Sequence, residues 1–330
     1  MDEFIDSNKN YINIAILGAV SVGKSTLVNT IFAETYSKCV IKRYTMTPQV
    51  YIETDAVETE TVGKIYRKNN EINNKLVAKT EAGETVSLDD IKERVYLVPK
   101  VYDFTELEED NYLRIYNIPG LNDARSKDVY FEYMDNNFRK FDIIIFVVDI
   151  NSSLNTGDEV DILVTIVENC KLNSEKHGIH NKLIILANKC DEMTLSTEGK
   201  PKLEGEQQEM MNQLQTLVKE KVDNIFPSLD YKIKPLSLED SYIYRMYDRN
   251  KGFELDMKYL NKFGYNEYGK IRWNKLAEQR RHELINLEID MDERMNITGF
   301  NGFRKILNKF LSPSNQQIYI NNHILQGLTK

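Results

Sequence analysis

The sequence predicts an α/β fold, a three-layer, doubly wound and mostly parallel sheet, and two observations carry that expectation. Apolar runs of strand length, such as "YINIAIL" and "IIIFVV", alternate with segments whose apolar residues recur every three to four positions. A glycine-rich turn joins the first strand directly to the first helix, the connection from which parallel βαβ units are built.

Taken in order, Ile12, Ile14, Ile16 and Leu17 make a strand at 11–17, and Leu27, Val28, Ile31 and Phe32 then repeat at helical spacing. Further strands are expected at 49–53, 112–117, 142–149, 182–187 and 231–236, with helices near 127–140, 157–172 and 204–225. In the last of these, Met210, Met211, Leu214, Leu217, Val218 and Val222 form one stripe, which reads as core rather than as a ligand box. In such sheets ligands gather beyond the carboxyl ends of the strands.

Around this core, taken as 11–240 after an N-terminal tail at 1–10, two regions exceed the minimum. Residues of about 54–100 are polar and charged, and read either as a lid or docking insert or as a solvated helical decoration. Residues 241–297 mix aromatics, among them Tyr242, Phe263 and Trp273, with Lys270, Arg272, Lys275, Arg280 and Arg281; the acidic stretch that follows favours a salt-bridged helical insert. Phe303, Ile306, Leu307, Phe310 and Leu311 share one face of a closing helix in 298–330, followed by a tail.

Composition narrows the function classes. The 330 residues are 41% hydrophobic and 28% charged, as in ordinary globular domains. A net charge of -8 argues against a broad phosphate-backbone footprint, so nucleic acid is not expected as a partner. Cys39, Cys170 and Cys190 show no paired spacing and the N-terminus has no signal-like pattern, so a reducing, cytoplasmic compartment is the expectation. The longest apolar run is far short of the ~20 residues a bilayer span needs.

Between the first strand and helix, Gly18, Gly23, Lys24 and Ser25 satisfy G-x-x-x-x-G-K-[ST], the phosphate-cradling P-loop pattern. Glycines let backbone N–H groups across Ser21, Val22, Gly23, Lys24, Ser25 and Thr26 close around an anion, and the helix N-terminus adds a favourable dipole. Lys24 then neutralises phosphate, and Ser25 offers a hydroxyl to Mg²⁺. Farther along, "LRIYNIPGLND" runs from an apolar alternation into Asn117-Ile118-Pro119-Gly120, which by itself reads as a strand ending in a turn.

Asn188-Lys189-Cys190-Asp191, directly after the strand "KLIILA", resembles the N-K-x-D guanine-reading motif of the GTPase superclass. The resemblance implies that Asp191 accepts from the guanine N1–H and amine, that Asn188 ties the base loop to the P-loop, and that the stem of Lys189 lies along the ring. Adenine would leave such a carboxylate facing unpaired polar atoms, so guanine is favoured. Ser237 stands where the last base-side loop of these proteins has Ser-Ala, with Leu238 in place of the Ala.

On the same resemblance, "NIPG" fills the slot of the D-x-x-G motif. Gly120 would keep the backbone contact to the γ-phosphate, while Asn117 would bring an uncharged oxygen to the metal side where a carboxylate is usual. The turn reading and the site reading both stand at this point. Thr45-Met46-Thr47-Pro48 resembles the T-x-x-P of dynamin-like GTPases, which implies that Thr45, with Thr47 as the alternative, closes over Mg²⁺ and the attacking water. Ser21 matches a serine that helps place a charge-compensating cation in that branch, although Val20 stands where some members carry a catalytic glutamine. No Ras-type glutamine follows Gly120.

The chain is thus similar to dynamin-like GTPases through motifs spread over roughly 11–240, without room in these residues for stalk helices. The resemblance implies a P-loop GTPase fold with helical insertions, binding of GTP or GDP with Mg²⁺, and slow hydrolysis. Ser21, Lys24, Thr45 and Gly120 would take the catalytic roles, with Ser25, Thr45 and Asn117 on the metal. The alternative is a pseudo-GTPase that holds nucleotide without turnover, as Asn117 suggests. Expected partners are the guanine nucleotide, a second copy of the chain in a nucleotide-dependent homodimer, and a protein or a membrane surface bound peripherally.

Overall fold

The computed structural model describes residues 9–38, 45–55, 59–122, 127–152, 154, 157–249, 257–285, 289–325 and 327. Cys39, Asp123 and the residues just before Thr45, 42–44, lie outside the described residues. The chain opens with β1 (Asn10–Gly18), α1 (Lys24–Phe32), β2 (Gln49–Thr54), α2 (Val62–Glu81), β3 (Arg94–Pro99) and β4 (Asn111–Asn117). It continues through α3 (Lys127–Asn137), a 3-10 turn at Phe138–Lys140, β5 (Ile143–Asp149), α4 (Gly157–His177) and β6 (Lys182–Asn188). A two-stranded hairpin, β7 (Thr194–Leu195) and β8 (Pro201–Lys202), precedes α5 (Gly205–Ile225) and β9 (Asp230–Leu236).

Seven strands form the central sheet in the order β3-β2-β4-β1-β5-β6-β9. All neighbours are parallel except β2 and β4, which run antiparallel. The inner strands are buried along nearly their whole length, which is why they read as continuous apolar runs. Because Gly18, Asn117, Asp149 and Asn188 each end a parallel strand, the sheet brings their loops to one edge. The antiparallel pairing of β2 sets Gln49, at its start, opposite Asn117.

The 54–100 region, expected as a lid or docking insert or as a solvated helical decoration, is partly built into the core. It supplies β3, which extends the sheet at one edge beside β2, and α2, whose Ile65, Asn69, Asn73, Leu76 and Thr80 are buried. Polar composition disguised it, because the two asparagines face inward and find hydrogen-bond partners there, as buried amides must.

The expected boundary at 240/241 falls inside α6 (Leu238–Arg249), which packs along α1. Arg245 and Arg249 of α6 donate to the carbonyls of Thr30, Ile31 and Phe32 at the end of α1, a favourable place for cations on a helix dipole. Next come α7 (Met257–Tyr268), α8 (Lys270–Asn274), α9 (Glu278–Ile285) and α10 (Met291–Ile297). Here the aromatics do structural work: Trp273 is buried, stacks on Tyr268 and bonds Asn261, and Arg281 lies over its ring. At the end of the chain, α11 (Phe300–Phe310) is followed by a further helix, α12 (Pro313–Leu325), where a tail was expected. Its Gln316, Tyr319, Ile320 and His323 are buried. Among the described residues no helix is long and apolar enough to cross a membrane.

Candidate functional site: a nucleotide cleft at the strand ends

The P-loop is shaped by what its neighbours leave no room for. At Gly18, φ is 147° and a Cβ would stand 2.3 Å from the Val147 carbonyl oxygen of β5, so only glycine fits. Gly23 caps α1 with φ at 108°, and a Cβ there would meet Asn188 Nδ2 at 2.4 Å. Ser21 between them is exposed and held at φ 63°, in the left-handed region. With no side-chain cap at Gly23, the first amides of α1, from Lys24 through Ser25 and Thr26, face no capping oxygen of their own. That leaves the helix N-terminus open to an anion.

Lys24 is only 7% exposed, and its Nζ donates to the carbonyls of Gly18 at 3.0 Å and Ala19 at 2.5 Å. Burial among neutral groups pushes its ammonium down to about 7. A phosphate in the loop would restore the charge, since an opposite charge favours the ionised amine.

On the base side, Asn188 joins two loops. Its Nδ2 donates to the Val22 carbonyl at 2.7 Å, and its Oδ1 accepts from the Leu238 amide at 3.0 Å. Lys189, at φ 67°, points its ammonium to Asp149 Oδ2 at 2.5 Å. Asp191 is exposed, and its Oδ1 accepts from Ser237 Oγ at 2.8 Å. The same hydroxyl lies 2.7 Å from Asp240 Oδ2, so one proton serves two carboxylates. Asp240 is buried and further held by Asn266 of α7 at 2.8 Å and by Lys262 at 3.4 Å.

On the γ-phosphate side, Ser25 Oγ and Thr45 Oγ1 lie 2.9 Å apart, whereas Thr47 is buried two residues on. Gly120 sits against the P-loop so closely that a Cβ would fall 2.8 Å from the Val20 Cα and nitrogen. The Leu121 amide donates to the Gly18 carbonyl at 3.2 Å, and the Val20 amide to Asn122 Oδ1 at 2.7 Å. Asn117 is wholly buried, which removes the surface-turn reading. Its Nδ2 donates to Gln49 Oε1 at 2.9 Å, while its Oδ1 has no hydrogen-bond partner.

Three contributors escaped the sequence reading: Asp149, Asp240 and Asn122. Asp149 had a usable signal, a carboxylate ending the strand next to the N-K-x-D strand. Asp240 had a local one, a carboxylate three residues after Ser237, whereas Asn122 had none, because its partner, the Val20 amide, lies in a loop brought near only by the sheet.

The residues fit Mg²⁺ as a partial shell. Ser25 and Thr45 present hard hydroxyl oxygens, Asn117 Oδ1 is a buried acceptor in want of a donor or cation, and nucleotide phosphates would bring the charge. Among the described residues no group of three His, Cys, Asp or Glu could hold a metal alone.

Residues 13–189, more than half of the chain, match the family model of a 50S ribosome-binding GTPase. The chain belongs to this GTPase family. The matched span takes in the P-loop, Asn117 to Gly120 and Asn188-Lys189. This GTPase is 31% identical over 199 residues to an uncharacterised protein of Acanthamoeba polyphaga mimivirus, covering 57% of this chain and 30% of that one. It therefore spans under a third of the length of that curated relative. Among solved structures it is similar to Toc33 from Arabidopsis thaliana, at 11% identity and a TM-score of 0.39, over 69% of this chain and 71% of that one. It is also similar to a bacterial dynamin, at 18% identity and a TM-score of 0.41, over 94% of this chain and 52% of that one.

Proposed function

We propose that this GTPase domain is a guanine-nucleotide switch that binds GTP and GDP with Mg²⁺ and hydrolyses GTP slowly. The observation that carries the reading is the double hydrogen bond of Asn188, which fastens the base loop to the P-loop and so fixes a base site and a phosphate site at one distance. Asp191, with Ser237 behind it, reads the guanine edge. Lys24 and the α1 amides hold the phosphates. Ser25 and Thr45 would hold the metal, which would supply positive charge to the nucleotide phosphates. No Ras-type glutamine follows Gly120, so water placement falls to the Thr45 loop, the Gly120 amide and Ser21, which fits a low intrinsic rate.

The Thr45-x-x-Pro48 segment and Ser21 support a dynamin-like branch, in which two copies meet across their nucleotide faces and steady these loops. A second reading has one specific observation in its favour: Asn117 is bonded to Gln49, which suits a domain that holds nucleotide without turnover. Calorimetry with GTP, GDP and ATP, phosphate release as a function of Mg²⁺, and light scattering with GDP and a non-hydrolysable GTP analogue test the whole. ATP binding as tight as GTP would remove the guanine assignment. Binding without phosphate release would favour the second reading, and a monomer in both nucleotide states would remove the dimer.

A further inference from the structure

We propose that Asn73 of α2, together with Tyr130 of α3, is a positioning residue that holds the Thr45 loop closed over Ser25. The inference rests on the GTP-switch reading, because only there does the Thr45 position have a task. Met46 follows Thr45 and is wholly buried. Its amide donates to Asn73 Oδ1 at 3.0 Å, and its carbonyl accepts from Tyr130 Oη at 2.9 Å. Both polar backbone groups of one residue are thus fixed by side chains from two other elements. The neighbouring Thr45 hydroxyl then lies 2.9 Å from Ser25 Oγ.

The helix that supplies Asn73 is itself anchored. One turn earlier, on the same face, Asn69 Oδ1 accepts from Gln49 Nε2 at 2.9 Å and from Tyr96 Oη at 2.7 Å, and its Nδ2 donates to the Tyr36 carbonyl at 3.1 Å. Gln49 continues to Asn117 at 2.9 Å. A single hydrogen-bonded chain therefore runs from Asn117 at the end of β4, through Gln49, to Asn69 of α2, while Asn73 of the same helix grips the Thr45 loop. α2 connects the two segments that a γ-phosphate would have to draw together. A loop already tethered loses less conformational freedom when nucleotide arrives, so the clamp favours the triphosphate state.

A merely structural role, satisfying one buried amide, predicts lost stability and faster exchange of that amide but no change in nucleotide preference. The experiment separates the two. In the full chain, affinities for GDP and a non-hydrolysable GTP analogue, and hydrogen exchange of the Met46 amide without nucleotide, are measured for the unaltered protein, Asn73→Leu, Asn73→Asp and Tyr130→Phe. Asn73→Leu should lower the preference for the GTP analogue over GDP about tenfold and speed Met46 exchange. Asn73→Asp keeps an acceptor oxygen and should retain both. Tyr130→Phe should move the preference in the same direction by less. Unchanged preference in Asn73→Leu overturns the proposal whatever the exchange does, and if that variant does not fold, the same result in Tyr130→Phe does. Failure of the unaltered chain to bind either nucleotide would mark failure of the switch reading instead, and the exchange of Met46 in the variants would still decide whether the clamp exists.

Discussion

Asn117 gives its amide hydrogen to Gln49 Oε1, at 2.9 Å, in a site closed to solvent. A carboxylate at 117 has no hydrogen to give, so the amide that replaces the usual acid at this strand end is bound up with the presence of Gln49 opposite it. The amide also leaves one oxygen unpaired and available to a cation.

Asn117→Asp should therefore destabilise the protein by about 1–3 kcal/mol, since a buried acceptor would face a buried acceptor. Thermal or urea unfolding reads this directly. Magnesium affinity and turnover should not rise, because Gln49 Oε1 disfavours the added charge. A variant that is as stable as the parent and hydrolyses GTP faster would show that the bond of Asn117 to Gln49 carries no weight.

Lys24 links nucleotide affinity to pH. In the free protein its ammonium titrates near 7 because of burial, while in the unfolded chain it does so near 10.5. Bound phosphate raises the folded value, so between the two values binding takes up a proton and affinity should fall as pH rises above about 7. Calorimetry of GDP binding at pH 8 in buffers of different ionisation enthalpy should report uptake approaching one proton. The same depressed value costs the nucleotide-free protein stability, a penalty that grows as pH falls from 10.5 towards 7. Lys24→Met should accordingly melt no lower than the parent while binding GDP at least ~tenfold more weakly, or about 1.4 kcal/mol. Equal GDP affinity in the two proteins would remove Lys24 from the phosphate site.

Asp191→Asn should exchange guanine for xanthine preference. Asp191 is exposed and holds one oxygen towards Ser237, and on the proposed reading an amide in its place presents a donor to the xanthine carbonyl where guanine has an amine. Competition between GDP and xanthosine diphosphate measures it, with a shift of at least about tenfold expected for a lost charge-assisted pair. No change in the ratio would mean that Asp191 does not read the base.

The sequence by itself determined those parts that are contiguous in the chain. The P-loop from Gly18 to Ser25 and the Asn188 to Asp191 loop are each short enough that residue type and order fix their local geometry, and the buried strands announced themselves as apolar runs. Tertiary structure alone decided how 54–100 is used. Asn69 and Asn73 are polar, and polar helices ordinarily face water; they turn inward only because Gln49, Tyr96 and the Met46 amide arrive there from other elements. It also decided the meaning of Asn117. Whether an amide at a strand end is a turn residue, a metal ligand or a buried donor depends on the residue across from it, and Gln49 comes to that place through the antiparallel pairing of β2 with β4. Hydrogen-bond complementarity between residues far apart in the chain has no period and no local pattern, so it becomes legible only once the sheet is assembled.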